Sequence, residues 1–199
     1  MQKKGRLIVI SGPSGAGKST IVFKAIEGRD DMCFSTSVTS RKARPGEQDG
    51  REYFFIDRER FLKMIADDEL LEHAEYVGNF YGTPRKFVED KLAAGVSVFL
   101  DIEVQGARQV SEKMPEAIKI FVIPPSLEEL RNRLVKRGTD SPEAIEGRLK
   151  RAREEYAEAD FYDYIVINDK VEEAAAELQA ILTAEQCRYA ARSSWLKKV

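Results

Sequence analysis

Short apolar runs alternate along this chain with longer stretches in which apolar residues recur every three or four positions. The first run, Leu7-Ile8-Val9-Ile10, is brief and continuous, as expected of a strand buried on both faces of a parallel sheet. Ile21, Val22, Ala25 and Ile26 then fall on one helical face, with Gly28 as the stop. Residues 29–36 carry a second strand after the polar turn Arg29-Asp30-Asp31, and Tyr53-Phe54-Phe55-Ile56 reads as another. Asp57 is placed to cap a helix whose inner face holds Phe61, Leu62 and Ile65. The stretch Tyr76 to Tyr81 is aromatic and turn-rich around Gly78-Asn79. Beyond it the pattern predicts a helix near 85–94, a break at Gly95, and a strand over Val96–Ile102. A further helix and Pro115 lead to a strand over Ile118–Ile123, closed by Pro124-Pro125. Two charged helices follow, one at 127–137 and one opening at Ser141-Pro142-Glu143, with Ser as cap and Pro in the first helical position. Asp163–Asn168 gives a last strand, and the Ala/Glu-rich remainder a C-terminal helix.

Strands alternating with helices predict an α/β fold, a parallel sheet covered by helices on both faces. Roughly 38–84 and 126–157 break that rhythm. Both are rich in arginine and read as excursions from one core.

A chain of 199 residues suits one domain, or one core with insertions. Hydrophobic content of 43% and charged content of 33% place it among soluble globular proteins. With 32 Lys and Arg against 34 Asp and Glu, net charge is −2, so no global attraction to nucleic acid or an acidic membrane is expected. Any basic site must be local. Cys33 and Cys187 lie far apart and lack metal-ligand spacing, which suits buried or inert thiols in a reducing compartment; no feature of the sequence supports a disulfide. The basic start, Met1 to Arg6, precedes an apolar run too short for a signal-peptide core or a membrane span, so a cytoplasmic protein is expected. The remaining aromatics read as core.

Chemistry enters at Gly12-Pro13-Ser14-Gly15-Ala16-Gly17-Lys18-Ser19, which satisfies G-x-x-x-x-G-K-[ST] and stands between the first strand and the first helix. A polyphosphate is wrapped by backbone N–H groups, so the chain must approach closely and adopt conformations that a Cβ obstructs; Gly12, Gly15 and Gly17 permit both. The helix that starts at the anion adds unpaired N–H groups and a favourable dipole. Lys18 is expected on the terminal phosphates and the Ser19 hydroxyl on Mg²⁺.

Later stretches are more specific. Thr39-Ser40-Arg41-Lys42-Ala43-Arg44-Pro45-Gly46-Glu47, Gly50-Arg51-Glu52-Tyr53-Phe54-Phe55, Glu72-His73-Ala74-Glu75 and Asn79-Phe80-Tyr81-Gly82-Thr83 occur in order. Leu100-Asp101-Ile102-Glu103-Val104-Gln105-Gly106 and Arg133 to Gly138 follow. Together they resemble the guanylate kinase signature, in its compact bacterial form, from the phosphate loop to Ile167-Asn168-Asp169. The resemblance implies a P-loop nucleoside monophosphate kinase fold with a mixed α/β GMP-binding insertion (38–84) and a helical lid (126–157). The core would then be 1–37, 85–125 and 158–199. It implies phosphoryl transfer from ATP to GMP, with dGMP as an expected second acceptor, giving ADP and the nucleoside diphosphate.

Carried residue by residue, the resemblance places Arg41, Arg44, Tyr53 and Tyr81 on the GMP phosphate. Ser37, Glu72, Gly82 and Thr83 would stand around guanine, whose N1–H and 2-amino donors need a carboxylate. Read without the family, these arginines are a solvated basic loop and the tyrosines packing groups. Asp101, at a strand end, would orient water on Mg²⁺ beside Ser19, or be only a turn residue. Asp101 would also contact GMP, as would Glu103, on guanine or ribose; at 103 the family more often has Asp, one methylene shorter. Gly12 to Thr20, Arg133, Arg137 and Asn168 would bind ATP, and Lys18, Arg41, Arg137 and Arg148 would act in catalysis. Arg133 and Arg137, four residues apart, share a helical face; Arg131, Lys136, Lys150, Arg151 and Arg153 read as a solvated face. His73 has no accompanying nucleophile and reads as structural or surface.

Three rival readings remain. They are a kinase for another nucleoside monophosphate, a guanylate-kinase-like module that binds peptides without catalysis, and a regulatory GTPase. The last is disfavoured, since no D-x-x-G follows a suitable strand and Asn168-Asp169-Lys170 lacks N-K-x-D spacing. Partners expected are ATP and GMP, not nucleic acid or membrane; the sequence leaves a homo-oligomer open.

Overall fold

The computed structural model describes residues 4–76, 78–138 and 140–197; the first three residues of the basic start lie outside them. Nine strands and eight α-helices follow one another in the described residues. The larger sheet holds β1 (Leu7–Ser11), β2 (Met32–Phe34), β7 (Ser97–Asp101), β8 (Ile118–Ile123) and β9 (Tyr164–Ile167), in the order β2-β7-β1-β8-β9. β1 runs parallel to β7 with Leu7 opposite Val98 and Ile10 opposite Asp101, and β2 is parallel to β7. The smaller sheet is mixed and has the order β4-β3-β6-β5, from β3 (Ser37–Thr39), β4 (Tyr53–Phe55), β5 (Leu70–Tyr76) and β6 (Asn79–Pro84).

The chain divides into two compact units. The first runs up to Ser11, then covers Arg29–Ile120 and Ala157–Asp163. Its main core joins Leu7 and Val9 of β1 and Val98 and Leu100 of β7 to Val88 and Leu92 of α3 (Arg85–Ala93) and Ala107 and Val110 of α4 (Val104–Lys113). A second cluster lies under the small sheet, where Val38, Phe61, Met64, Leu70 and Phe80 are buried and the rings of Phe61 and Phe80 stack 5.2 Å apart. Asp57 caps α2 (Arg58–Ala66), accepting from the Arg60 N–H at 2.6 Å.

Two expectations fail in this unit. Leu62 is 46% exposed, and Met64 takes the inner place, because positions 61, 64 and 65 share a face that 62 does not. The stretch around Gly78-Asn79 is the turn of a full antiparallel hairpin, β5–β6, whose strands the apolar pattern did not announce.

The second unit covers Gly12–Gly28, Phe121–Tyr156 and the chain from Tyr164 on. α1 (Lys18–Ala25) buries Ile21, Val22 and Ala25 and ends before Gly28, which turns at φ +73°. It packs against α7 (Val171–Cys187), whose Gln179 Nε2 donates to the Ala25 carbonyl at 2.9 Å. α5 (Leu127–Arg137) and α6 (Pro142–Ala157) share a small core of Leu130, Leu134, Ile145, Leu149 and Ala152. Ser126 caps α5 by accepting from Glu129 N–H at 3.0 Å, and the Ser141 hydroxyl accepts from Ala144 N–H at 3.3 Å in the expected capping position. α8 (Tyr189–Arg192) and a final short 3₁₀ turn close the chain.

Not every aromatic belongs to a core. Phe23, Tyr76, Tyr189 and Trp195 are exposed, since each lies on the outer side of its helix, strand end or turn. Cys187, at the end of α7, is exposed rather than buried; Cys33 is half-buried, and both are free thiols. No helix of the described residues is long and apolar enough to cross a membrane.

Candidate active site

In the second unit, the loop after β1 turns on glycines whose neighbours leave no room for a side chain. At Gly12, φ is +140°, and a Cβ would lie 2.0 Å from the Val122 carbonyl oxygen. At Gly17, φ is +84°, and a Cβ would lie 2.4 Å from Asn168 Nδ2. That amide is part of the loop's frame: Asn168 is 3% exposed, and its Nδ2 donates to the Ala16 carbonyl at 2.7 Å. Pro13 and Ala16 are likewise buried, while Ser14, Ser19 and Thr20 face outward. Lys18 Nζ donates to the Gly12 carbonyl at 2.7 Å, which folds its ammonium back over the loop.

The arginine helices of the same unit converge on this loop. Arg148 of α6 donates through Nη1 to the Ser14 hydroxyl at 2.9 Å and pairs through Nη2 with Asp140 Oδ1 at 3.0 Å. Arg133 of α5 pairs with Glu129 Oε1 at 2.7 Å and donates to the Asn168 carbonyl at 2.8 Å. Arg137, in the last turn of α5, is exposed.

The first unit holds the other group of residues. A cavity of about 200 Å³ is lined by Ser37, Tyr53, Thr83 and Asp101, with Phe34, Ser35, Glu52, Leu100 and Ile102 completing the wall. Four expected residues thus meet, delivered by β3, β4, β6 and the end of β7. Behind Thr83 stands Glu72, 5% exposed, whose Oε1 accepts from the Thr83 hydroxyl at 2.7 Å. Burial pushes the Glu72 carboxyl up to about 7, with the Glu103 charge adding and the Thr83 hydrogen bond opposing. Gly82 lets β6 approach β5, since a Cβ there would lie 2.9 Å from the Glu72 carbonyl oxygen.

Arg41 is held beside this cavity by a two-pronged pair with Glu47, both distances 2.9 Å, and its guanidinium stands 5.5 Å from the centre of the Tyr53 ring. The Arg41 guanidinium and the Arg44 backbone N–H hold the Glu47 carboxyl below its usual range. Tyr81 meets Tyr53 edge-on at 5.9 Å, and burial raises the Tyr53 hydroxyl. The Arg44 side chain and Glu103 are exposed. His73 is half-buried in β5, its imidazole pushed down by burial and by Lys113; nothing in its setting resembles a catalytic base.

Sequence reasoning named Glu47 and Gly106 only inside motifs and passed over Asp140 and Gln109. The one signal available was Gly106, an interior helix glycine that costs stability unless packing requires it.

No group of three or more His, Cys, Asp or Glu side chains among the described residues forms a metal cage. Oxygen, the donor atom Mg²⁺ takes, is offered by the Ser19 hydroxyl in the second unit and by the Asp101 carboxylate in the first.

A glycine loop between a buried strand and a helix, attended by arginine-bearing helices, defines a P-loop nucleoside monophosphate kinase. The guanylate kinase family model matches residues 4–185. The guanylate kinase of Lactococcus lactis is 53% identical over 94% of this chain and 92% of its own, and one from Thermus thermophilus is 52% identical over 93% and 84%. The crystal structure of guanylate kinase from Anaplasma phagocytophilum superposes with a TM-score of 0.75 at 41% identity, covering 94% of this chain and 89% of that one. This chain belongs to the guanylate kinase family.

Proposed function

We infer that the protein is an ATP:GMP phosphotransferase, moving the terminal phosphoryl group of ATP to GMP and releasing ADP and GDP. Besides the family, the observation that supports it best is the cavity of Ser37, Tyr53, Thr83 and Asp101 with the buried Glu72 behind it. Guanine offers two adjacent N–H donors to a carboxylate, whereas adenine would leave that carboxylate desolvated and unpaired.

Transfer between phosphates needs little covalent help, because the acceptor phosphate is already anionic near neutral pH. The task is to hold two anions in line and stabilise spread charge. Arg41, Arg44, Tyr53 and Tyr81 would hold the GMP phosphate, Arg41 arriving already oriented by Glu47. The loop Gly12–Thr20 would cradle the ATP phosphates, with Lys18 swinging from the Gly12 carbonyl to the terminal groups. Arg133, Arg137 and Arg148 would neutralise charge on the transferred group, Asn168 keeping the loop and Arg133 in place. Ser19 and Asp101, the latter through water, would hold Mg²⁺, which would supply positive charge to offset that of the phosphates. In this reading 38–84 is the GMP-binding segment, 126–157 the lid, and the rest the core. dGMP is a second acceptor and the location cytoplasmic.

ADP formation measured with GMP, dGMP, AMP, UMP and dTMP tests the reading. The expected result is a strong preference for GMP and dGMP. Preference for AMP would sink the guanine assignment, and no turnover with any of them, together with binding of a phosphopeptide, would favour a non-catalytic module.

A further inference from the structure

The Glu72 carboxylate is supported from outside the cavity. β5 is an edge strand of the small sheet, so one row of its backbone groups has no strand beside it. At His73 a side chain fills that place. Gln109 of α4 accepts from the His73 N–H through Oε1 at 3.1 Å and donates through Nε2 to the His73 carbonyl at 3.0 Å. One carboxamide thus pairs as a neighbouring strand residue would.

The strand beside this clamp is irregular. Leu70 stands opposite Pro84 and His73 opposite Gly82, so three steps along β5 answer two along β6. Such a bulge re-aims side chains; here Leu71 and Glu72 are consecutive and both buried. Where the ladder is interrupted, α4 supplies the support. A Cβ on Gly106 would lie 2.9 Å from Glu72 Oε2 and 3.4 Å from its Cδ. Lys113 donates to the Leu70 carbonyl at 2.8 Å and pairs with Asp68 at 2.8 Å. Positions 106, 109 and 113 follow helical spacing along one face.

We propose that Gly106 and Gln109 are specificity-determining positioning residues: this face of α4 fixes the bulged Glu72 so that its carboxylate meets the donor edge of the acceptor base. The proposal rests on the GMP reading given above. Oε1 is already engaged by Thr83, so Oε2, the oxygen against Gly106, has the freer lone pairs for a second base donor. An alanine at 106 forces that oxygen to move by several tenths of an ångström. The loss falls on a two-donor base such as guanine more than on hypoxanthine, which lacks the 2-amino group.

The experiment is initial-rate measurement with GMP and with IMP at saturating ATP, for the wild type, Gly106→Ala, Gln109→Ala and Gln109→Glu, alongside each Tm. Gly106→Ala is expected to lower kcat/KM for GMP at least about tenfold, the loss of roughly one good hydrogen bond, and to shrink the GMP/IMP ratio. KM for ATP should stay unchanged. Gln109→Ala should act in the same direction, as should Gln109→Glu, whose second oxygen would face the His73 carbonyl in place of the Nε2 donor. A wild type without preference for GMP over IMP would sink the GMP reading itself. A GMP-preferring wild type whose folded variants keep its ratio would overturn the positioning proposal alone, as would a lowered Tm with an unchanged ratio. If Gly106→Ala does not fold, the two Gln109 variants decide on the same criteria.

Discussion

In the proposed reading, ionisation of Glu72 makes acceptor binding and folding respond to pH in opposite directions. In the folded protein its carboxyl titrates near 7, because burial penalises the charged form; an ordinary glutamate titrates at 4.5. Between those values the folded state holds a proton that the unfolded chain has released. Stability from this group is therefore fully present below about pH 4.5 and is lost as pH rises through 7. Raising the carboxyl from 4.5 to about 7 corresponds to about 3 kcal/mol. As proposed, guanine takes the ionised carboxylate as acceptor, so GMP affinity should climb about tenfold per pH unit up to 7 and then level off.

Binding must then expel the proton. At pH 6 the free carboxyl is about nine-tenths protonated and at pH 8 about one-tenth, so GMP should release close to one proton from this group at the lower pH and almost none at the higher. Calorimetry in two buffers of different ionisation enthalpy reads that number. The GMP phosphate, with a second pKa of about 6, contributes its own proton, but Glu72→Gln retains that contribution. Subtracting the variant isolates Glu72. Equal proton release by wild type and Glu72→Gln at pH 6 would refute the reasoning. The variant should also show a flatter Tm profile between pH 5 and 8.

Three further outcomes are expected. Lys18→Ala should lower kcat by about 10³-fold or more, as loss of a charge-stabilising group at the transferred phosphoryl does, while circular dichroism stays native; retained turnover would remove Lys18 from the phosphates. Arg41→Ala should raise KM for GMP at least about tenfold with KM for ATP unchanged, since a charge-assisted pair is worth about 1.5–3 kcal/mol; steady-state kinetics on both substrates decides. Asn168→Ala leaves the Ala16 carbonyl without its donor, so it should cost about 1–3 kcal/mol of stability by urea unfolding and weaken ATP binding; unaltered ATP titrations would limit Asn168 to the fold.

Much of this was legible in local pattern. The continuous run at 7–10, the glycine loop and the caps at Asp57 and Ser141 are short-range features, and α5 begins and ends at 127 and 137 as its spacing implies. The hairpin was hidden because Glu72, His73 and Glu75 interrupt apolar alternation, and the bulge shifts the pleat where the pattern would be read. Leu62 gave way to Met64 because positions 61, 64 and 65 share a helical face that 62 lies off. Gln109 and Asp140 carry no motif: their partners lie 36 and 8 residues away, and only tertiary contact assigns them work. Exposed Cys187 and Trp195 show the one-way character of hydrophobic reasoning, which says what is found inside and little about what is left outside.

The hydrogen bond from Asn168 to Ala16 joins residues 152 apart. During synthesis the glycine loop leaves the ribosome well before the amide that braces it, which follows 152 residues later. A nascent chain or truncated fragment ending before residue 168 therefore carries the full phosphate-binding motif without the brace that shapes it. Peptides that hold the glycine loop but stop short of residue 168 are poor stand-ins for the loop they contain.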